Sequence, residues 1–371
     1  MAIAANAQTA NDIDFSDPAL APIWEKVKSG QRLDADDGLR LFETDDLLGL
    51  GRMAGFAKRR RCGDWVYFVV NRQVNPTNLC VLSCSFCDFA RKRGQEGAYE
   101  MSLAQVLALI SDEMHEVHIV GGHHPDWPFE YYEEMLRAIR KRFPNVQLKA
   151  FTAAEMDYFS KRFKLPVETV LARLQAAGLQ SMPGGGAEVF SERVRKRLFP
   201  GKAGARRWLE IHRLAHRMGI KSNCTLLYGH IETFEERVRH LLLLRELQDE
   251  TSGFLAFIPL AYQPGTTNLV PRQASAIDDL KTVAASRLLL DNVPHVKAYW
   301  VMVGEETASM ALHFGASDLD GTIGEERIAH AARAQSPAGL ARERIVRLVR
   351  EAGKVPVERD ALYNVVRVYD A

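Results

Sequence analysis

The stretch Asn78-Leu-Cys80-Val-Leu-Ser-Cys84-Ser-Phe-Cys87 places three cysteines within eight residues, in a C-x3-C-x2-C spacing. Three thiolates on one tight loop can hold three corners of an iron–sulfur cluster, because such clusters are ligated by cysteine. The motif has no fourth cysteine, so one iron would lack a protein ligand and stay open to a small molecule. The spacing therefore predicts a cluster that activates a bound molecule, rather than one that only transfers electrons.

A structural zinc site is the alternative interpretation of the same cysteines. Zinc sites close with four ligands, commonly in two separated C-x2-C pairs. Only Cys84 and Cys87 form such a pair, and the remaining cysteines, Cys62 and Cys224, are solitary. The spacing favours a cluster. A zinc-stabilised binding protein without redox chemistry stays open as a hypothesis of a different class.

The composition is that of an ordinary enzyme and excludes a general affinity for polyanions. The formal net charge of the 371-residue chain is +1, so no overall field recruits nucleic acid or anionic lipid. Residues 1–6 lack the basic start and apolar core of a signal peptide, and no stretch reaches the roughly 18 apolar residues of a membrane span. Five cysteines, three of them clustered, do not form a disulfide framework. We expect a cytoplasmic enzyme with neither nucleic acid nor membrane as a partner.

The chain has a helical start and then alternates short β-rich segments with long amphipathic ones, which implies parallel strands joined by helices. The segments predicted as strands are Val66–Asn71, Glu116–Gly121, Gln147–Ala150, Gly178–Met182, Lys221–Tyr228, Phe254–Leu260, Lys297–Met302 and Ala311–Phe314. The segments predicted as helices between them are Leu103–Met114, Tyr131–Arg142, Val167–Ala177, Arg206–Met218, Phe234–Gln248 and Ala274–Leu290. Eight repeats favour an α/β fold, a (β/α)8 barrel of the TIM type, over residues 65–371. Residues 1–64 are predicted to be a helical extension packed on the barrel. At the other end, a helix over Leu340–Arg350 and an extended segment over Val357–Val368 are predicted to close the chain.

Polar and glycine-rich residues follow several predicted strands, and active sites of such barrels lie at the carboxyl ends of the strands. The stretches concerned begin with Asn75 and the cysteine loop, and continue with Gly121-Gly122-His123-His124, Gly184-Gly185-Gly186-Ala187-Glu188 and Tyr228-Gly229-His230. Glycine lets a ligand approach the backbone, although a turn without a ligand is the structural alternative. Glu188 is the first carboxylate to consider, with a charge at a helix N-terminus as its alternative. Because His123 and His124 are adjacent, we expect at most one of them to point at the barrel axis.

The cysteine motif, with Phe86 before its last cysteine, resembles that of the radical S-adenosylmethionine (SAM) enzymes. In that superfamily the cysteines hold a [4Fe–4S] cluster, SAM chelates the fourth iron, and its cleavage gives a 5′-deoxyadenosyl radical. Further blocks are similar to enzymes of menaquinone and deazaflavin biosynthesis, namely Asn75-Pro-Thr-Asn78, Lys149-Ala-Phe-Thr152, Ser181-Met-Pro-Gly-Gly-Gly-Ala-Glu188, Leu227-Tyr-Gly-His-Ile-Glu232 and Gly315-Ala-Ser-Asp-Leu-Asp-Gly-Thr322. The second and third of these blocks most resemble the aminodeoxyfutalosine synthase family.

This resemblance implies a transferase of the futalosine route to menaquinone that forms a C–C bond and consumes SAM. The 5′-deoxyadenosyl radical would add to 3-[(1-carboxyvinyl)oxy]benzoate, an enol ether with two carboxylates. Rearrangement and decarboxylation would give 6-amino-6-deoxyfutalosine, methionine and bicarbonate or carbon dioxide. The alternatives within the superfamily are a dehypoxanthine futalosine cyclase and a subunit of the deazaflavin (FO) synthase, which abstract hydrogen and release 5′-deoxyadenosine.

The resemblance also assigns roles to residues of this chain. It implies that Cys80, Cys84 and Cys87 ligate the cluster, that Phe86 lies near the adenine of SAM, that Gly121 and Gly122 lie near its methionine amine, and that Glu188 lies near its ribose. The candidates for contacting the second substrate are Asn75, Arg91, His123, His124, Tyr228 and His230. No residue is predicted to be a proton-transfer catalyst, and a reducing partner such as flavodoxin or ferredoxin is expected.

Overall fold

Seven parallel strands follow one another in chain order and enclose the centre of the molecule. The computed structural model describes residues 13–369. Its strands are β1 (Trp65–Val69), β2 (Asn71–Val74), β3 (Glu116–Ile119), β4 (Gln147–Ala150), β5 (Ser181–Met182), β6 (Lys221–Tyr228), β7 (Phe254–Ala261), β8 (His295–Val296), β9 (Asp318–Gly321), β10 (Val355–Arg359) and β11 (Val365–Val368). The large sheet has the order β2-β3-β4-β5-β6-β7-β8, and each neighbouring pair is parallel.

Helices provide the crossovers that parallel neighbours require. They are α1 (Leu20–Ser29), α2 (Ala35–Glu43), α3 (Leu47–Cys62), α4 (Leu103–Ala108), α5 (Phe129–Arg142), α6 (Ala153–Phe163), α7 (Val167–Ala177), α8 (Glu192–Leu198), α9 (Ala205–Arg217), α10 (Phe234–Thr251), α11 (Ala276–Leu289), α12 (Trp300–Val303), α13 (Glu305–Ala311), α14 (Ile328–Ala331) and α15 (Arg342–Glu351). The crossover helices bury an apolar face; in α5, for example, Tyr132, Met135, Leu136 and Ile139 are buried at helical spacing. The sequence did not predict α6 or α8, and α4 is shorter than the predicted Leu103–Met114.

A short strand, β9, closes the barrel between the two ends of the large sheet. On one side the N–H of Ala298 donates to the carbonyl of Asp318 over 2.8 Å. On the other side the N–H of Gln73 donates to the carbonyl of Ile323 over 2.8 Å. The predicted α/β barrel is confirmed, although its first strand is divided: β1 pairs with β9 and β10, whereas β2 starts the large sheet.

The predictions for the last two strands of the barrel are wrong. Of the predicted strand Lys297–Met302, only Lys297 makes a strand-like bridge, and the chain turns into α12 at Trp300. The apolar, aromatic run has a high strand propensity, but tertiary packing overrides such a preference: the indole N–H of Trp300 donates to the carbonyl of Gly321 in a buried hydrogen bond. The predicted strand Ala311–Phe314 is the end of α13 and the turn that follows it. The true closing strand, β9, has two aspartates in four residues and therefore lacks the apolar pattern of a strand.

Three helices, α1 to α3, precede the first strand, and α2 and α3 pack against α10 and α11. Gly51 allows α3 to approach the turn after α13 closely, since a Cβ atom on Gly51 would lie 2.7 Å from the ring of Phe314. The position of a domain boundary near residue 64 stays a prediction. Residues 1–12 of the predicted extension lie outside the described part of the chain.

The C-terminal segment adds a second, smaller sheet beside the barrel. β10 pairs with β1 in parallel and with β11 in antiparallel orientation, so the predicted extended segment is a hairpin that follows α15. This sheet has the order β11-β10-β1-β9 and shares β9 with the barrel closure. Among residues 13–369, the helices are all too short or too polar to cross a membrane.

Candidate active site

A cavity of about 300 Å³ occupies the barrel and opens at the carboxyl ends of its strands. Towards the outside it is bordered by Phe86 and Cys87 on the cysteine loop and by Glu188 after β5. Apolar side chains of β3, β6 and β7 form much of the wall: Val120, Leu227, Ile258 and Leu260. The predicted position of the site at this rim of the barrel thus coincides with this cavity.

The cysteine loop leaves β2 at Val74 and is fastened to its surroundings by backbone hydrogen bonds. The N–H of Cys80 donates to the carbonyl of Arg91 over 3.0 Å, and the N–H of Ser85 donates to the carbonyl of Leu198, at the end of α8, over 2.8 Å. Cys80, Cys84 and Cys87 are free thiols with partly exposed side chains. The loop therefore presents three thiols on one supported segment.

The donor set of this loop fits an iron–sulfur cluster, which is held by cysteine thiolates. Burial raises the pKa of the Cys84 thiol to about 11, while the neighbouring Lys202 ammonium acts to lower that pKa; a bound metal deprotonates a coordinating thiol outright. Within residues 13–369, no group of three or more His, Cys, Asp and Glu side chains is arranged to hold a single metal ion.

Glu188 forms an ion pair with Lys202, a residue that was not predicted to belong to the site. The Nζ atom of Lys202 lies 2.5 Å from Oε1 of Glu188 and 5.0 Å from the centre of the Phe86 ring. Burial acts to lower the pKa of Lys202, but the Glu188 carboxylate and the Cys84 thiol outweigh it and raise the pKa above its usual value. Lys202 follows a Pro-Gly turn, a position typical of an exposed lysine, so no sequence signal identified it.

Gly121 and Gly122 lie where the segment after β3 passes close to the backbone of the cysteine loop, and this close approach requires glycine. A Cβ atom on Gly122 would lie 2.2 Å from the carbonyl oxygen of Leu79, at the start of the cysteine loop. Both amides have protein partners: the N–H of Gly122 donates to Thr77 O over 2.9 Å, and that of Gly121 to Glu155 Oε1 over 3.3 Å. A methionine amine needs acceptors, so the carbonyl oxygens of this pair are the groups that could meet it.

The two adjacent histidines diverge, as expected. His123 lines the cavity, stacks on Tyr158 with 4.8 Å between ring centres, and has a buried Nδ1 with no hydrogen-bond partner in the described chain. His124 turns away: its Nε2 lies 2.6 Å from a carboxylate oxygen of Glu100, and its ring stacks on Trp127. Only His123 is therefore placed to meet a ligand in the cavity.

The structure does not bring the other four predicted substrate contacts to the cavity wall. The Arg91 guanidinium donates to the carbonyls of Asp88 and Ala90. The Tyr228 hydroxyl lies 2.6 Å from Asp279 Oδ1, among the helices outside the sheet. His230 contacts Glu232, and the Asn75 amide donates to Val120 O. Their roles in substrate binding stay predictions.

Polar side chains of the strands themselves form the inner part of the cavity, and they were not predicted from the sequence. Gln73, His118 and Lys149 line the cavity from β2, β3 and β4. A signal existed, because Glu116-Val-His-Ile and Gln147-Leu-Lys-Ala alternate polar and apolar residues, and alternate residues of a strand share one face. In a closed barrel one of those faces points inwards.

Buried ion pairs support this polar interior. The distances between charged atoms are 2.6 Å for Lys149–Glu116, 3.1 Å for Lys297–Asp320 and 2.8 Å for Arg359–Asp318. Burial acts to raise the pKa of Glu116, but the facing cations outweigh it and lower that pKa to about 2. The charges of three carboxylates are thus neutralised by three cationic side chains in the barrel interior.

Two family models match the chain in succession. Residues 74–244 match the radical SAM superfamily, and residues 251–370 match the CofH/MqnC C-terminal region. Together they cover the barrel, including the cysteine loop and the closing strand.

Relatives of known name match over nearly the whole chain. The aminodeoxyfutalosine synthase of Thermus thermophilus is 48% identical, over 95% of this chain and 98% of that enzyme. The cyclic dehypoxanthine futalosine synthase of Streptomyces coelicolor is 37% identical, over 95% of this chain and 90% of that enzyme. A 5-amino-6-(D-ribitylamino)uracil–L-tyrosine 4-hydroxyphenyl transferase of Methanopyrus kandleri is 39% identical, over 86% and 89% of the two chains.

A solved structure shares the fold. Methylornithine synthase (PylB) superposes with a TM-score of 0.71 over 90% of this chain and 97% of that chain, at 18% sequence identity. At this identity the match supports the barrel architecture and carries no statement about substrate.

Proposed function

Because the chain belongs to the radical SAM superfamily and, within it, to the family of the aminodeoxyfutalosine synthases, we propose that it converts 3-[(1-carboxyvinyl)oxy]benzoate and SAM to 6-amino-6-deoxyfutalosine. Methionine and bicarbonate or carbon dioxide are the other products. The reaction adds the adenosyl group to the substrate, so SAM is consumed as a co-substrate.

The difference in identity between the synthase and its sibling enzymes carries this proposal. The identity is 48% to the synthase, against 37% to the cyclase and 39% to the hydroxyphenyl transferase, and the alignment spans more of the synthase's length. The siblings use the same fold and cofactor, so residues that differ between them are expected to lie at the second substrate. This favours the radical addition over hydrogen abstraction.

The residues of the chain supply ligands for the cluster, charged groups for the substrates and a cavity in which the reaction takes place. A [4Fe–4S] cluster, when bound, supplies the electron that cleaves SAM. Cys80, Cys84 and Cys87 are the residues that would hold it, and their loop is fastened at Arg91 and at Leu198. The protein's further task is to bind, orient and exclude competing reactions.

The cavity suits a reactive carbon radical for two reasons. Much of its wall is apolar, including Val120, Leu227 and Ile258, and offers little to bind water beside the radical. Its limited volume holds the alkene in contact with the radical carbon, as a near-attack arrangement requires. The Glu188–Lys202 pair offers a carboxylate to a ribose hydroxyl and an ammonium to a carboxylate at the same rim.

A one-electron donor such as flavodoxin or ferredoxin and a reducing, cytoplasmic environment stay part of the proposal. They follow from the chemistry of the cluster rather than from a contact in this chain. An open iron site also needs protection from oxygen.

The test is anaerobic incubation of the reduced protein with SAM and the enol ether, followed by mass spectrometry. We expect the adenosyl adduct of the decarboxylated substrate. Free 5′-deoxyadenosine as the sole nucleoside product would refute the synthase assignment and favour a sibling activity.

The cluster ligands are tested by replacing each of Cys80, Cys84 and Cys87 with Ala. Each change removes one of three thiolates, so we expect loss of the broad visible absorbance and of turnover together. Cys224→Ala is the matched control, since Cys224 is buried away from the loop and should keep both signals. Turnover retained in any of the three loop variants would contradict the ligand assignment.

A further inference from the structure

Four neighbouring strands carry a row of polar side chains at the same height inside the barrel. Gln73 is in register with His118, and His118 with Lys149. Lys149 is in turn in register with Ser181 of β5. Residues in register on parallel strands project from the same face of a sheet. We call these four residues the inner row.

Two members of the inner row have partners and two do not. The Gln73 amide donates to the Tyr299 hydroxyl over 2.9 Å, and the Lys149 ammonium pairs with Glu116. In contrast, Nε2 of His118 and Oγ of Ser181 are buried without a hydrogen-bond partner in the described chain. An unsatisfied buried polar atom costs about 1–3 kcal/mol, so native structures hold few of them. A ligand that completes these hydrogen bonds would remove this cost.

The charges around His118 determine what its ring can do. Lys149 of the neighbouring strand β4, Glu116 of its own strand, and Asp320 and Lys297 from the other end of the sheet all act on it. Burial lowers the pKa of His118 to about 3, with Lys149 acting in the same direction. The ring is therefore neutral near pH 7 and offers one N–H donor and one acceptor. The His118 ring N–H and the Lys149 ammonium, which also pairs with Glu116, can both donate to an anionic ligand atom.

The inner row lies deeper than the rim residues. His118 and Lys149 each precede the last residue of their strands, whereas Phe86 and Glu188 follow the carboxyl ends of β2 and β5. The apolar side chains of Val120 and Ile258 line the same cavity. A ligand that spans this depth needs an apolar, ring-sized body and a polar inner end.

We propose that His118, together with Lys149, forms the subsite that binds the carboxylate of an aromatic acid at the inner end of the cavity. The inference rests on the proposed function, which supplies a benzoate whose reactive alkene must face the rim. The ring carboxylate is meta to the enol ether oxygen, so it can reach inwards while the alkene faces the rim. His118 donates to one carboxylate oxygen, and the Lys149 ammonium, which already pairs with Glu116, contacts the other.

Calorimetric titration of the reduced holoenzyme with two probes of equal size, one charged and one uncharged, tests the subsite without turnover. The probes are 3-methoxybenzoate and its uncharged isostere 3-methoxybenzamide. We expect the parent protein to bind the benzoate roughly tenfold tighter, as one or two charge-assisted hydrogen bonds allow. His118→Leu removes the donor and should lower that ratio to about threefold or less, while the affinity for SAM changes less than about twofold.

His118→Asn provides a second variant if the leucine variant does not fold, because its shorter amide cannot reach the same position. His313→Asn is the matched control, since His313 is exposed and does not line the cavity, and it should keep the parent ratio. An unchanged benzoate preference in either His118 variant overturns the subsite. A subsite that responds as expected in a protein that forms no adenosyl adduct refutes the proposed reaction instead, so the two failures are distinguishable.

Discussion

Glu188 owes its position to an unusual backbone and to one buried cation. Its φ angle is +48°, in the left-handed region that residues with a Cβ atom seldom adopt. The ion pair with Lys202 holds the side chain at the rim in spite of this. Sequence identified the carboxylate because it follows a glycine run, but it could not identify the lysine, which arrives from the far end of α8.

Replacing Lys202 with Met is expected to destabilise the apo protein by about 3 kcal/mol, because Glu188 would be left buried and unpaired. The free energy of unfolding from urea titration measures the effect. The double variant Lys202→Met/Glu188→Gln removes the unpaired charge and should recover at least half of the loss. A double variant as unstable as the sum of the single changes would show that the pair contributes nothing.

At the scale of elements, the start of α6 places a second carboxylate beside the site. Thr152-Ala-Ala-Glu155 forms a capping box, in which the Thr152 hydroxyl accepts from the Glu155 N–H and the Glu155 carboxylate accepts from the Thr152 N–H. The same carboxylate accepts from the Gly121 N–H, so one residue links α6 to the glycine pair. Burial raises the pKa of Glu155 to about 7, although these hydrogen bonds act to lower it.

This raised pKa predicts a stability that falls as pH rises. Between the ordinary pKa of 4.5 and about 7, the folded state keeps a proton that the unfolded state has lost. Folding is therefore opposed by a cost that grows to about 3 kcal/mol near pH 7 and is constant above it. Glu155→Gln keeps the capping box and should abolish this slope, as urea unfolding between pH 5 and 8 would measure. A slope identical to that of the parent would assign the pH dependence to another group.

Elements with an apolar pattern were predictable, and elements held by polar interior contacts were not. β6 and β7 coincide with their predictions to within a residue because long apolar runs define them. β9 reads as a polar loop, yet its aspartates are buried since Lys297 and Arg359 reach them from elsewhere in the chain. The same limit applies to the site: the cysteine loop is a local motif, whereas His118, Lys149 and Lys202 come together only through the fold.

At the scale of the molecule, the C-terminal strand is tied to the barrel by the buried Arg359–Asp318 pair. Arg359 is 1% exposed, and its guanidinium also lies over the ring of Tyr363, 4.1 Å from the ring centre. Arg359→Met is expected to cost about 3 kcal/mol of stability, because Asp318 would keep only the more distant Lys297, 4.0 Å away, as a counter-charge. Urea unfolding measures the loss.

Arg367→Met on the exposed strand β11 is the control for that experiment and should change stability by less than about 0.5 kcal/mol. Asp318→Asn combined with Arg359→Met should be less destabilised than Arg359→Met alone. Equal losses for Arg359→Met and Arg367→Met would show that the buried pair does not hold the two sheets together.

The position of β1 has a consequence for how the protein is made. Its strand partners are β9 and β10, which lie some 250 to 290 residues later in the chain. On the ribosome, the apolar segment Trp65–Val69 therefore emerges long before any partner exists, and it stays an open strand edge until synthesis is nearly complete. We therefore expect nascent chains of this protein to need shielding of this segment for most of their synthesis, and fragments that stop before β9 to carry that edge permanently.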